Sequence, residues 1–122
     1  MKKCLIVDDS RIIRRVAAKI LFELGFDPDE AEDGQKAIES VSIRMPDVAI
    51  VDWDMPVMDG LSFVAALRKM PDGDKPIVIF CTADNEVHHI ERALEAGADE
   101  YIMKPFDSEI VRSKLTILGA LD

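Results

Sequence analysis

Four apolar runs in this chain each end in a residue able to do chemistry. Cys4–Val7 leads into Asp8-Asp9, Val48–Val51 into Asp52, Ile77–Cys81 into Thr82, and Tyr101–Met103 into Lys104. Aspartate is a favoured helix N-cap, so capping accounts for any one of these acids taken alone. It does not account for Lys104, because a lysine at the end of a buried strand is uncommon without a partner. Together, three carboxylates, a hydroxyl and an ammonium at four strand ends read as a site. Two carboxylates about 4 Å apart near a protein surface repel by roughly 4 kcal/mol, and one lysine does not neutralise three acids. A divalent cation would. The donors are hard oxygens with no His or Cys among them, which favours magnesium over zinc. Magnesium takes one or two carboxylates and otherwise keeps water or phosphate oxygens. One carboxylate is then free as a nucleophile of the aspartyl-phosphate kind. Phosphoryl transfer depends mainly on positioning and charge neutralisation, which Lys104, the Thr82 hydroxyl and the metal would supply.

The elements that must position these residues alternate from end to end. The four apolar runs read as strands buried on both faces, as in a parallel sheet. Apolar stripes at helical spacing lie between them: Ile13, Val16, Ile20 and Leu24; Ile38, Val41 and Met45; Val64 and Leu67; Val87, Ile90 and Leu94; Val111, Leu115 and Leu118. Gly25, Pro46, the loop Pro71-Asp72-Gly73-Asp74 and Gly97 supply the helix stops. The weakest strand, near Phe26–Glu32, is acidic and contains Pro28, which places it at the sheet edge. Five β–α units with right-handed crossovers predict a doubly wound α/β sandwich, a five-stranded parallel sheet with five helices. In such sheets the ligand crevice lies outside the carboxyl ends of the strands, at the switch point in strand order.

Composition narrows the function classes. A chain of 122 residues forms one domain, burying roughly two-thirds of its unfolded surface. Its 48% hydrophobic and 32% charged residues are ordinary for a globular protein. No apolar run approaches the roughly 18–20 residues of a membrane span, and the MKK start does not lead into a secretory signal. Cys4 and Cys81 sit inside apolar runs, which reads as reduced, buried and cytoplasmic. A net charge of −9 argues against direct nucleic-acid binding, which needs clustered Lys and Arg. The one basic cluster, Arg11, Arg14 and Arg15, reads as a solvated helix face.

The stretches "VDDSRIIRR", "VDWDMPVMDG", "FCTAD" and "YIMKPF" resemble the receiver domain of two-component response regulators, above all the chemotaxis-type single-domain regulators. The likeness covers nearly the whole chain, with motif order and spacing intact. It implies a flavodoxin-like strand order, 2-1-3-4-5, and a single receiver domain over 1–122 with no output domain. It implies that Asp52 is the phosphoacceptor and that Asp8 and Asp9 hold Mg²⁺ with Asp52 and the backbone carbonyl of Asp54. It further implies that Thr82 and Lys104 bind the phosphoryl group, that Tyr101 is an aromatic switch, and that the Lys104–Pro105 bond is cis. Asp54 and Asp84 stand where the family tunes phosphoryl lifetime. The partners implied are a histidine kinase or phosphotransfer protein, and a downstream protein met through the fourth helix, fifth strand and fifth helix, around Val87–Leu94 and Asp107–Leu118. The domain is expected to be a monomer or a weak, phosphorylation-dependent dimer, and no enzyme beyond its own phosphoryl transfer and autodephosphorylation.

Other residues carry blander expectations. Asp59 reads as a helix N-cap. Trp53, next to Asp52, reads as a reporter of the site. His88 and His89 read as mostly solvent-facing, because adjacent helical residues point in different directions. Rival readings come from other classes. A haloacid dehalogenase-type phosphatase would use the Asp52-x-Asp54 pair, but Pro56 stands where that family has Thr or Val, and Asp8-Asp9 would go unused. A flavodoxin-like cofactor binder would want a Ser/Thr/Gly-rich loop after the first strand. A phosphorylation-independent adaptor would not need the complete set of acids, threonine and lysine. Nucleotide hydrolysis lacks its GxxxxGK[ST] loop.

Overall fold

The structure, a computed structural model, describes residues 2–83 and 87–121. Strands and helices alternate along the chain: β1 (Lys2–Val7), α1 (Arg11–Glu23), β2 (Phe26–Ala31), α2 (Gly34–Ile43), β3 (Val48–Asp52), α3 (Gly60–Lys69), β4 (Ile77–Thr82), α4 (Val87–Ala96), β5 (Glu100–Met103) and α5 (Ser108–Ile117). All pairings are parallel, and the strand order is β2-β1-β3-β4-β5. Each parallel step needs a crossover, and the helices supply it.

Successive strand residues point to opposite faces, and the core divides accordingly. Leu5, Val7, Ala49, Val51, Val78 and Phe80 face α2, α3 and α4, against Val41, Phe63, Val64, Leu67 and Ala93. Cys4, Ile6, Val48, Ile50, Ile79 and Cys81 face α1 and α5, against Ala17, Leu21, Val111 and Leu115. The inner strands are therefore apolar wherever both faces are covered: Cys4–Val7 in β1, Val48–Val51 in β3 and Ile77–Cys81 in β4. β2 carries its acids and Pro28 at the edge, beside β1 alone.

Three expectations need correcting. The fifth strand is an edge with only Ile102 buried, so it is not covered on both faces. In α1 the fully buried residues are Ala17 and Leu21, while Val16 is 47% exposed. In α4 Ala93 is buried and Leu94 is 47% exposed. Both helices turn a small residue to the sheet, which brings their axes close, and a stripe drawn through the largest apolar residues misses that phase.

Helix starts settle what the strand-end acids are not. Ser10 caps α1, Asp33 α2, Asp59 α3 and Asp107 α5, each accepting from the backbone N–H three residues on. Asp59 is the cap expected. Asp52 stands seven positions ahead of it, so capping does not explain its place. Away from the site, Arg68 staples α3 to the next two segments. Its guanidinium donates to the carbonyls of Gly73, Pro76 and Gly97 at 2.8–3.0 Å and to Asp99 at 3.1 Å.

Candidate functional site

The sheet register brings the polar strand ends to one level. Val7 pairs with Val51 and Asp52 with Cys81, so Asp8 and Asp52 leave β1 and β3 side by side. Thr82 pairs with Met103, which sets Lys104 one step beyond. The ladder continues past the strands: Asp8 N donates to the Ala31 carbonyl at 3.1 Å, and Lys104 N to the Thr82 carbonyl at 2.8 Å. Both ends are thereby held in place by backbone.

Lys104 Nζ lies 2.8 Å from Asp8 Oδ2 and 3.0 Å from Asp52 Oδ1. The Lys104–Pro105 bond is cis, as expected. The other Asp8 oxygen accepts from Ser10 N at 2.8 Å. Arg14 is not part of a solvated face: its side chain is 14% exposed, donating Nη1 to the Asp8 carbonyl at 2.8 Å and Nε to Glu30 at 3.1 Å. It pins the turn that carries Asp8 and Asp9, a role invisible in a run of three arginines.

Asp8, Asp52 and Thr82 are buried and Asp9 is exposed. Burial pushes the Asp52 carboxyl up to about 6, with the Asp8 and Asp9 charges adding to the rise and the Lys104 hydrogen bond opposing it. Burial works against the charge of Lys104, yet its bonds to Asp8 and Asp52 leave its pKa raised overall, so it stays cationic. Burial also pushes the Cys4 and Cys81 thiols far up, which keeps them protonated and inert.

One carboxylate oxygen from each of Asp8, Asp9 and Asp52 falls within 4.8 Å of the others. Three hard oxygen donors, only one lysine among them and an open side suit a hard divalent cation better than zinc or copper. The donor set therefore fits the metal expected there. Beside it opens a crevice of about 600 Å³, bordered by Asp9, Asp52, Trp53, Asp54, Thr82 and Lys104, with Ala83 and His89.

The loop after β3 turns away sharply. Met58 N donates to the Pro56 carbonyl at 2.7 Å across Val57, which sits at φ +69°. Gly60 N returns to the Trp53 carbonyl at 3.0 Å. A Cβ at Gly60 would overlap the Asp52 carbonyl oxygen, so only glycine permits this approach.

Of the residues singled out from sequence, Asp8, Asp9, Asp52, Thr82 and Lys104 converge, and Asp54 borders the same crevice. Tyr101 lies on β5, half-buried, off the crevice lining, with Lys114 Nζ 5.4 Å from its ring centre. Asp84 lies outside the described residues. His88 is exposed as expected, but His89 is half-buried. Its imidazole stacks on Trp53 with centroids 4.9 Å apart, and it borders the crevice. Nothing in an adjacent histidine pair says which of the two faces inward.

Residues 4–116 match the model of the response regulator receiver domain family. The chain belongs to that family. The phosphate regulon transcriptional regulatory protein PhoB of Escherichia coli is 38% identical over 106 residues, covering 86% of this chain and 46% of that one. The chain thus spans about half the length of the curated relatives it matches. Among solved structures, the Vibrio cholerae chemotaxis protein CheY4 superposes with a TM-score of 0.91 at 31% identity, over 96% of this chain and 98% of that one. A Francisella response regulator receiver domain gives 0.87 at 30% identity, over 97% and 96%. The chain is thus a receiver domain of the two-component response regulator type. The phosphatase, flavodoxin and adaptor readings find no support. No helix among the described residues is long and apolar enough to cross a membrane.

Proposed function

We propose that Asp52 of this receiver domain takes a phosphoryl group from the phosphohistidine of a kinase or phosphotransfer protein. The observation that carries this reading is the shared lysine, whose ammonium bonds both Asp8 and Asp52 at the edge of the crevice. Asp8, Asp9 and Asp52, with the Asp54 backbone carbonyl, are the residues that would hold Mg²⁺. When bound, Mg²⁺ supplies neutralisation of the charge that gathers on the phosphoryl oxygens.

With a pKa of about 6, Asp52 is mostly ionised at neutral pH and competent as a nucleophile. Its carboxylate oxygen attacks phosphorus in line; the new O–P bond forms as the N–P bond to the donor imidazole breaks. Lys104 then trades the Asp52 carboxylate for a phosphoryl oxygen, and the Thr82 hydroxyl donates to another. The acyl phosphate carries about −1.5 to −2 charge in place of the single carboxylate charge, and Tyr101 turns inward as Thr82 moves. The surface remodelled is that of α4, β5 and α5, where a downstream protein docks. Asp54 and Asp84 tune the lifetime of the acyl phosphate. The domain acts in the cytoplasm, as a monomer or a weak dimer formed on phosphorylation, and turns over nothing but its own phosphate.

Labelling with radioactive acetyl phosphate in the presence of Mg²⁺ tests this. Asp52→Asn should remain folded by circular dichroism and take up no label. Label retained by that variant would move the phosphoacceptor elsewhere.

A further inference from the structure

The half-buried Trp53 indole, next to Asp52, is held from three sides. Phe80 of β4 lies at 5.4 Å in a tilted contact, and the Arg92 guanidinium of α4 stands 5.9 Å from the ring centroid. The third contact is the His89 imidazole, 4.9 Å away and only 23° from parallel. Trp53 and His89 both border the crevice, whose other lining is three carboxylates, a hydroxyl, a lysine and Ala83.

We propose that His89 is a positioning residue: by stacking on Trp53 it completes an aromatic wall on the α4 side of the crevice, and this wall limits how fast water removes the phosphoryl group from Asp52. The inference rests on Asp52 being the phosphoacceptor. In the hydrolytic step a water oxygen bonds to phosphorus as the bond from phosphorus to the Asp52 carboxylate oxygen breaks. Orthophosphate leaves with the water's proton or releases it to solvent, and the carboxylate is restored. A crevice of about 600 Å³ has room for roughly twenty waters at about 30 Å³ each, so its walls, not its volume, decide which water lies in line. The exposed acids Asp9 and Asp54 also border the crevice. The stacked Trp53–His89 pair contributes ring surface to the same lining, and apolar walls exclude water from a reacting centre. Truncating His89 removes a ring from that wall and frees the indole to turn.

The full domain, labelled with radioactive acetyl phosphate and Mg²⁺ and freed of donor, gives the rate of label loss. His89→Ala should lose label about three- to tenfold faster than wild type, and His89→Phe, which keeps a stacking ring, should stay within about twofold. In metal-free protein, Trp53 emission should change in His89→Ala, showing that the indole has lost its partner. Equal lifetimes for wild type and His89→Ala would overturn the wall. So would a His89→Phe variant as short-lived as the alanine, since the imidazole would then be acting chemically. If wild type takes no label on Asp52, the phosphoacceptor reading falls and this inference falls with it; if wild type labels normally and only the lifetimes fail to diverge, this inference alone is lost.

Discussion

Replacing Asp52 by asparagine should make the metal-free domain more stable, although it removes one half of an ion pair. The Asp52 carboxyl is raised from 3.8 to about 6, with burial as the first cause and the Lys104 bond opposing it. The folded protein therefore holds this proton more tightly than the unfolded chain does. A carboxyl raised in this way lowers stability as pH climbs from about 3.8 through about 6, and the penalty is complete above that range. At about 1.36 kcal/mol per unit, ionising Asp52 at neutral pH costs roughly 3 kcal/mol. Asparagine has nearly the same shape and carries no charge, and Lys104 keeps Asp8 as its partner at 2.8 Å.

Urea unfolding in a metal chelator measures the difference directly. Near pH 7.5 Asp52→Asn should be about 2–3 kcal/mol more stable than wild type, and near pH 4 the two should nearly coincide. Magnesium should then close the gap from the other side. Saturation at about a hundredfold above Kd stabilises wild type by about 2.7 kcal/mol, and the variant, lacking one donor, should gain less. If the variant is less stable near pH 7.5, or its advantage persists undiminished to pH 4, the reasoning fails. Lys104 would then outweigh burial, and the site would not be carrying excess negative charge.

Three further substitutions test the frame around the site. Gly60→Ala puts a Cβ on the Asp52 carbonyl oxygen and 3.0 Å from the Phe80 ring; overpacking of this kind costs about 1–3 kcal/mol, and weaker Mg²⁺ binding in a fluorescence titration should accompany it. Arg68→Ala removes four hydrogen bonds, three to backbone carbonyls, and should lower unfolding free energy by about 2–4 kcal/mol while leaving acetyl phosphate labelling near wild type. Val57→Gly relieves a β-branched residue at φ +69° that is 82% exposed and has little packing to lose; a gain of roughly 0.5–1 kcal/mol in urea unfolding is expected after the entropy cost of glycine.

The site was legible in the sequence because a parallel sheet leaves little freedom at its strand ends. Once the apolar runs are taken as neighbouring strands, Asp8, Asp52, Thr82 and Lys104 must surface on one edge, and the register places them there. The inner strands were easy to read because both their faces are covered. β5 was over-read because a short apolar run does not reveal that one side of the strand has no neighbour. Helix facing was harder. Ala17 and Ala93 carry the buried phase of α1 and α4, and alanine gives almost no signal beside valine and leucine. His89 and Arg14 were missed for a related reason. Each acts through a tertiary contact, with Trp53 or with the Asp8 carbonyl, and neither contact leaves a periodic trace in the chain.

The two kinds of residue do different work. Strand-end groups are fixed by backbone ladders, so their relative positions hardly depend on what surrounds them. Trp53, His89 and Arg92 join β3 to α4 through ring stacking and a cation over a ring, contacts worth about 0.5–1.5 kcal/mol each. Energies of that size are small enough for a new phosphate charge or a docked partner to overcome. Chemistry thus sits on the rigid part of the fold, while the contacts that modulate it sit on a helix whose hold on the site is weak. Linkage makes that hold reciprocal: a protein that binds α4 and disturbs the stack must alter the site by the same free energy with which the site alters α4.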